Sequence, residues 1–292
     1  MFNEKRITVF TPTYNRAYIL NRLYESLKKQ SSKSFLWLII DDGSTDNTEE
    51  LVNAWIRENI IEIRYYKQEN GGKQRAHNKA VELCDTELFI CVDSDDYLTE
   101  NAIEEFIKIW DSIENKQGIS GIVALRGKDK NTPIGTRMPK GVRISPLCDL
   151  YDRYSFRGDT ALLFRTDILK NYKFYVPEGE KFIGEGYIYL QIDQKYSLYV
   201  LDKILYITEY LKDGYTKNIR KIIKDNPKGY MLLNRQKVIF SKNIKRRYLS
   251  TVRYLIGCFL CKEQHPIKNA PDKWIAIFAY PLAYIYYILT YR

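Results

Sequence analysis

Three groups of polar residues follow predicted strands in the first third of the chain. They are Thr11-Pro12-Thr13-Tyr14-Asn15-Arg16, Asp41-Asp42-Gly43-Ser44-Thr45-Asp46 and Asp93-Ser94-Asp95-Asp96. In a doubly wound α/β sheet, ligands bind beyond the carboxyl ends of the strands. We therefore expect the three groups to converge on one ligand site at a single edge of the sheet.

The third group has the chemistry of a divalent cation site. Neighbouring carboxylates repel one another unless a cation or another partner lies among them. Their hard oxygen atoms suit Mg²⁺ or Mn²⁺, which leave coordination positions for substrate phosphates. The alternative is a solvated acidic turn before the next helix, with Thr99 as its N-cap. An isolated Asp-x-Asp would favour that alternative, but the two companion groups favour a metal site.

The segment from Asn70 to Asn78 has the chemistry of an anion site. Gly71 and Gly72 let the backbone approach a ligand closely, and the predicted helix that follows offers N–H donors together with Lys73 and Arg75. The segment matches neither the Walker loop nor the Gly-x-Gly-x-x-Gly fingerprint. The sequence thus gives no support to an ATPase or a dehydrogenase.

The elements that would position these groups alternate along the first half of the chain, as is typical of strand–helix–strand units on a mostly parallel sheet. The patterns predict strands at 7–11, 36–41, 61–66, 88–93, 119–125 and 160–164, and helices at 17–29, 48–58, 73–84, 101–113 and 185–195. Beyond residue 226 they predict only helices, at 230–240, 248–262 and 272–289. We predict an α/β domain over residues 1–211 and a basic, aromatic helical extension over residues 212–292.

In their order and spacing, these motifs resemble those of the glycosyltransferase family 2 domain over roughly residues 1–210. The resemblance implies a GT-A fold, a nucleotide-diphospho-sugar donor such as a UDP-sugar, an Mn²⁺ or Mg²⁺ ion, and inversion at the anomeric carbon. It also implies a saccharide or polyisoprenoid-linked saccharide acceptor in surface-polysaccharide biosynthesis.

The resemblance further implies roles for individual residues. Asp42 would receive the base or ribose, Asp93 would lie near the ribose, and Asp95 would ligate the metal, with Asp96 as a further metal carboxylate. The residues implied in donor binding are Thr11, Pro12, Thr13, Tyr14, Asp42, Gly72, Lys73, Arg75 and Asp93.

Inversion by direct displacement requires a general base that takes the proton of the acceptor hydroxyl. Members of the family carry this base in an acidic motif at the start of a helix, and the matching residue here is Glu185. The following Gly186 departs from the commoner acidic residue at that position. Asp159 and Glu180 are the competing carboxylates.

The excess positive charge of the chain lies in one segment. Residues 212–253 contain 13 Lys and Arg against two Asp, a local charge of +11, whereas the whole chain carries +10, so the remainder carries −1. No zinc-finger, RNP or basic-zipper pattern accompanies the charge, and we expect no nucleic-acid partner.

The stretch 274–289 is uncharged, rich in Tyr and interrupted by Pro281. It is shorter than the roughly 20 apolar residues of a typical membrane span. With the basic segment before it, the stretch predicts a peripheral contact with the inner face of the plasma membrane. The alternative is a helix packed on the catalytic domain.

Two further expectations concern compartment and activity. Residues 1–10 contain no apolar stretch long enough for a secretory signal, and the five cysteines lack a disulfide framework, so we expect a cytoplasmic protein. A donor-binding scaffold without turnover is the second functional hypothesis, and the intact acidic groups argue against it.

Overall fold

The computed structural model describes residues 5–209 and 215–292, with only the backbone described for 215–217. The chain forms two compact units: Met1–Lys173 with Lys195–Leu211, and Phe174–Gln194 with Lys212–Arg292. The predicted boundary near Lys212 lies outside the described residues. The grouping of Phe174–Gln194 with the C-terminal helices was not expected from the sequence.

The first unit alternates strands and helices as predicted. Its elements are β1 (Ile7–Thr13), α1 (Ala17–Lys28), β2 (Phe35–Asp41), α2 (Thr48–Glu58), β3 (Ile63–Lys67), α3 (Lys73–Leu83), β4 (Leu88–Cys91), β5 (Tyr97–Leu98), α4 (Ala102–Asp111), β6 (Ile119–Gly127), β7 (Ile144–Ser145), α5 (Leu147–Asp152), β8 (Thr160–Arg165), α6 (Thr166–Leu169) and β9 (Ser197–Ile207). Helix α7 (Gly186–Ile192), which comes before β9 along the chain, belongs to the second unit. The strands predicted before residue 170 are all present. The long strand β9 was not predicted.

In the described residues, nine strands form one mixed sheet. The order is β3-β2-β1-β4-β8-β6-β9-β5, and β7 pairs with β9. Strands β3, β2, β1 and β4 are parallel, whereas β8 runs antiparallel to both β4 and β6. The carboxyl ends of β1, β2 and β4 therefore lie at the same edge, with Thr13 paired to Asp41. The predicted convergence of the polar groups follows from this arrangement.

Helices α1, α2 and α4 cover one face of the sheet. Successive strand residues point to opposite faces, and Ile7 and Val9 of β1 belong to the main buried cluster with side chains of all three helices. Within it, Tyr24, Trp37 and Trp55 stack with ring centroids 4.3–6.1 Å apart. This aromatic stack joins α1 and α2 to β2.

Helix α3 covers the opposite face. The ring of His77 lies edge-on to Phe10 of β1 and Phe89 of β4, at centroid distances of 5.7 and 5.3 Å. His77 is buried in this contact. The contact packs α3 against β1 and β4.

The second unit is helical in the residues that the structure describes. It contains α7, α8 (Tyr215–Asp225), α9 (Pro227–Phe240), α10 (Ile244–Leu260) and α11 (Lys273–Tyr291). Helix α10 packs against α9 on one side and α11 on the other. An ion pair between Arg247 and Asp272 (2.9 Å) joins the beginnings of α10 and α11, and Phe259 contacts the rings of Tyr280 and Tyr284 further along.

Replacement of Trp55 by Ala should lower the free energy of unfolding by about 3–5 kcal/mol, because it leaves a cavity within the aromatic stack. Chemical denaturation of the folded chain measures the change. The neighbouring Ile56 on the same helix is exposed, and Ile56→Ala should stay within about 1 kcal/mol of the wild type. Equal losses for both variants would contradict the stack as a source of stability.

Candidate active site

The loops after β1 and β2 are joined by reciprocal hydrogen bonds. The amide of Asn15 donates to Ser44 Oγ (2.9 Å), and Asn15 Oδ1 accepts from the amide of Thr45 (2.8 Å). The amide of Ser44 donates to Asp41 Oδ1 (2.7 Å), and that of Asp42 donates to the carbonyl of Thr13 (2.8 Å). The two loops therefore hold each other in place at the sheet edge.

The four residues expected to line the nucleotide pocket at the end of β1 differ in exposure. Thr11 is fully buried, and its Oγ1 accepts from Trp37 Nε1 (2.9 Å), so its side chain faces the core rather than a ligand. Thr13 is also buried, with no partner for its hydroxyl among the described residues. Pro12 is half-buried and Tyr14 is 49% exposed. Of the four side chains, that of Tyr14 is the most accessible to a base or ribose.

Asp42 organises the glycine loop that precedes α3. Its Oδ1 accepts from Gln68 Nε2 (2.7 Å) and the amide of Gly71 (2.9 Å), and its Oδ2 accepts from the amide of Gly72 (2.7 Å). Gly72 has φ 92°, a left-handed value that favours glycine. The resemblance implied that Asp42 receives the base or ribose; in this structure its carboxylate holds the loop.

Two cations lie at the start of α3. Lys73 Nζ is 2.6 Å from Asp93 Oδ1, and both side chains are largely buried. Arg75 Nη1 donates to the carbonyl of Gly71 (2.7 Å). The ion pair joins the glycine loop to the end of β4, which brings the predicted anion-binding and acidic groups together.

The negative charge of the acidic group after β4 is only partly balanced by the neighbouring cations. Burial and then the charge of Asp93 raise the pKa of Asp95, and the same two causes raise the pKa of Asp96 to about 7. A cation placed at this edge would favour the ionised carboxylates. The electrostatics thus suit the predicted metal site.

Asp96 is nevertheless turned towards protein donors. It is 3% exposed, its Oδ2 accepts from the hydroxyl of Tyr206 (2.8 Å), and its Oδ1 accepts from the amide of Glu209 (3.1 Å). Arg126 Nη1 lies 3.5 Å from Oδ2. Sequence reasoning missed Arg126, Tyr206 and Glu209, since no motif marks them and the strand that carries Tyr206, β9, was not predicted.

The donor set fits a metal ion that is shared with a substrate. Among the described residues, no group of three or more His, Cys, Asp or Glu is arranged to hold a metal ion alone. Mg²⁺-type ions commonly bind through one or two carboxylates and take their other ligands from phosphates and water. Asp95 and the neighbouring Asp93 have the chemistry for that kind of binding.

The three candidate bases have different surroundings. Glu180, in the second unit, is buried, and its two oxygens accept from the amides of Lys228 and Gly229 (2.7 and 2.8 Å) at the start of α9. Asp159, in the first unit, is exposed before β8. Glu185 is half-buried at the N-cap of α7. Glu180 is committed to capping a helix, which leaves Glu185 as the stronger candidate in its segment.

Comparison with known proteins identifies the family. Residues 8–173 match Glycosyl transferase family 2, which is more than half of the chain. Glycosyltransferase GlyG of Streptococcus pneumoniae is 36% identical over 99 residues, covering 34% of this chain and 33% of the relative. The poly(ribitol-phosphate) beta-N-acetylglucosaminyltransferase TarS of Staphylococcus aureus is 25% identical over 181 residues, covering 60% of this chain and 30% of the relative. The chain spans about a third of the length of these curated relatives.

Solved structures agree on the fold. The structure of S. aureus TarS 1-349 in complex with UDP-GlcNAc superposes with a TM-score of 0.62 at 21% identity, covering 97% of this chain and 81% of the other. The mannosyltransferase PcManGT of Pyrobaculum calidifontis, in complex with GDP-Man and Mn²⁺, gives a TM-score of 0.56 at 16% identity, covering 99% and 76%. The predicted GT-A fold is confirmed.

Asp42→Asn should loosen the glycine loop, because the new amide group presents a donor where the loop's N–H groups need an acceptor. Loss of a hydrogen bond to a buried charge costs about 1–3 kcal/mol, so amide hydrogen exchange at Gly71 and Gly72 should accelerate roughly five- to 150-fold. Glu82→Gln, on the exposed surface of α3, is the matched control and should leave the exchange unchanged. Unaltered protection in Asp42→Asn would refute the organising role.

Proposed function

Because the chain belongs to glycosyl transferase family 2, we propose that it transfers a sugar from a UDP-sugar to a saccharide acceptor with inversion at the anomeric carbon. The observation that carries this proposal is the joining of the glycine loop to the acidic group through Lys73 and Asp93. One sheet edge thereby offers the cations Lys73 and Arg75 for a diphosphate, and carboxylates for a metal. The UDP-GlcNAc bound by TarS supports the choice of a uridine nucleotide.

The leaving group of this reaction is a nucleoside diphosphate, so negative charge grows on its phosphates as the glycosidic bond breaks. A bound Mn²⁺ or Mg²⁺ ion would neutralise part of that charge. Asp95 would hold the ion together with the diphosphate, whereas Asp96, the second metal ligand predicted from the sequence, already accepts from protein donors through both of its oxygens. Lys73 and Arg75 at the start of α3 would bind the phosphates, and Tyr14 would contact the nucleoside.

The base of the proposed reaction is Glu185. A carboxylate at a helix start is exposed enough to meet an acceptor hydroxyl, and a base positioned there would take its proton as the new bond forms. Glu180 lacks a free oxygen for that purpose because both of its oxygens accept from the start of α9. Asp159 remains the competing carboxylate.

The proposed acceptor is a saccharide or polyisoprenoid-linked saccharide of a surface polymer. TarS, by its name, glycosylates poly(ribitol-phosphate), and other relatives are named as a hyaluronan synthase and a chondroitin synthase of Pasteurella multocida. These names share a polymeric acceptor or product. The alternative is a scaffold that binds the donor without turnover, which fits the preserved acidic group less well.

Helix α11 supports the proposed location at the inner face of the plasma membrane. Its small residues Ala276, Ala279 and Ala283 are fully buried, whereas Trp274, Phe278 and Leu289 are 76%, 72% and 81% exposed. By length and composition alone α11 could cross a membrane, although the large apolar residues lie on its outer side. Side chains arranged in this way favour a helix that lies in the interface plane.

Positive charge lies at the beginning of α10, which an ion pair joins to the beginning of α11. Lys245 and Arg246 are exposed at the beginning of α10, next to Arg247, which contacts the N-cap of α11. Cations close to an exposed apolar face complement anionic lipid headgroups. The cytoplasmic leaflet therefore fits this surface better than a neutral bilayer does.

Glu185→Gln should abolish sugar transfer, with a loss of at least about a hundredfold in kcat, because an amide cannot take the acceptor proton. Titration with UDP in the presence of Mn²⁺ should give an affinity close to that of the wild type. The control is Glu178→Gln, an exposed carboxylate of the same segment, which should retain activity. Turnover in Glu185→Gln like that of the wild type would move the assignment to Asp159.

Flotation with vesicles tests the membrane contact. The wild-type chain should float with vesicles of phosphatidylcholine and phosphatidylglycerol, and the variant with Trp274, Phe278 and Leu289 replaced by Ser should bind at least about tenfold more weakly, since three large apolar side chains no longer leave water.

The matched control replaces three exposed apolar residues elsewhere by Ser, namely Ile60, Ile144 and Tyr175. This control should float like the wild type. Failure of the wild type to float, or equal flotation of both triple variants, would contradict the membrane contact. A dimer of the wild type that the α11 variant loses would show instead that the face binds a second copy.

A further inference from the structure

The acidic group after β4 is fixed at its first residue by a tyrosine hydroxyl. The amide of Asp93 donates to Tyr206 Oη (3.0 Å), and the same hydroxyl donates to Asp96 Oδ2 (2.8 Å). Tyr206 is fully buried in β9. The Tyr206 hydroxyl is therefore hydrogen-bonded to both Asp93 and Asp96, the first and last residues of the acidic segment, and Asp95 lies between them.

The same aspartate is bound by the strand that carries the tyrosine. Asp96 Oδ1 accepts from the amide of Glu209 (3.1 Å), and its Oδ2 is also 3.4 Å from Thr208 Oγ1 and 3.5 Å from Arg126 Nη1. Both carboxylate oxygens are thus occupied by donors of the first unit. A metal ion would have to compete with these donors for the lone pairs of Asp96.

Both the ring and the backbone of Tyr206 are held in place. The guanidinium of Arg126 lies over the ring, 4.0 Å from its centroid, a distance typical of a cation–π contact. The backbone of Tyr206 pairs with that of Leu98 in β5, which begins directly after Asp96. The hydroxyl accordingly has a fixed position from which to hold the loop.

We propose that Tyr206 and Asp96 are positioning residues for the metal ligand Asp95, and that Asp96 does not itself bind the metal. The inference rests on the proposed function, because it assumes that Asp95 binds the ion. The Tyr206 hydroxyl fixes the backbone at Asp93, Asp96 anchors the other end on β9, and the intervening Asp95 carboxylate is thereby held at the sheet edge. A loop fixed before the ion arrives does not have to be ordered on binding, which favours affinity.

Tyr206→Phe removes the hydroxyl and keeps the ring below Arg126. In the metal-free protein, amide exchange at residues 93–96 should accelerate roughly five- to 150-fold, because the variant loses two hydrogen bonds, one of them to a carboxylate. The gain in UDP affinity on adding Mn²⁺ should fall by a similar factor. Tyr199→Phe is the matched control, because Tyr199 lies on the same strand and pairs with β7 and β6 away from the acidic group. It should change neither quantity.

Asp95→Asn and Asp96→Asn separate ligation from positioning. If Asp96 is a positioning residue, Asp95→Asn abolishes the Mn²⁺-dependent gain, whereas Asp96→Asn only reduces it. The double variant of Tyr206→Phe and Asp96→Asn should then lose less than the product of the two single effects, since both act through one hydrogen bond.

Three results would overturn the inference: unchanged exchange in Tyr206→Phe, a loss in Asp96→Asn as complete as in Asp95→Asn, or independent effects in the double variant. Global unfolding is recognised by comparing thermal midpoints with that of Tyr199→Phe. A wild type that binds no UDP with or without Mn²⁺ would refute the proposed function, while the metal-free exchange measurement still decides whether Tyr206 fixes the loop.

Discussion

Buried negative charge is the constraint on which the polar edge of the sheet depends. Asp41, Asp42 and Asp96 are all at most 5% exposed, and a carboxylate removed from water needs charged or hydrogen-bonding partners. The partners come from distant parts of the chain: the Tyr65 hydroxyl for Asp41, the glycine loop for Asp42, and the end of β9 for Asp96. Satisfying each charge therefore fixes a loop, and together these loops form the edge.

At the proposed metal site, the negative charge of the carboxylates is only partly balanced by protein cations. Asp93 has Lys73 as a partner, yet its charge still raises the pKa values of Asp95 and Asp96, after the larger effect of burial. A site that must accept a cation and a diphosphate benefits from negative charge that the protein leaves partly unbalanced. Departures of this kind from the rules of stable packing are typical of functional sites.

Helix α11 of the second unit buries its small apolar residues and exposes its large ones. In α11 the alanines face α10 and the large apolar side chains face outwards, the reverse of an ordinary surface helix. Small residues allow the two helices to approach closely, so packing within the unit does not need the larger side chains. Their exposure and the nearby cations make sense together if the surface meets a lipid headgroup region.

Most elements up to the end of α4 could be predicted because their periodicity is regular; the two-residue strand β5 could not. Strand β2 is an unbroken buried run, and α4 repeats apolar residues at helical spacing. Strand β9 was missed because Asp202 and Lys203 interrupt its apolar residues, and β7 because it has only two residues. Segment Phe174–Gln194 was assigned to the first domain because no local pattern shows which partner a short helix will pack against.

The sequence by itself determined the family, the strand ends at which polar residues gather, and the residue types that could bind a diphosphate and a metal. It ranked Asp95 above Asp96 as a metal ligand and Glu185 above Glu180 as a base, but it gave no sign that Asp96, Asp42 and Glu180 accept from protein donors. Only the tertiary structure decided which carboxylates are occupied by protein donors. Residue type and spacing are local properties, whereas the donors that occupy a carboxylate come from wherever the fold brings them, as Tyr206 comes to Asp96 from 110 residues away.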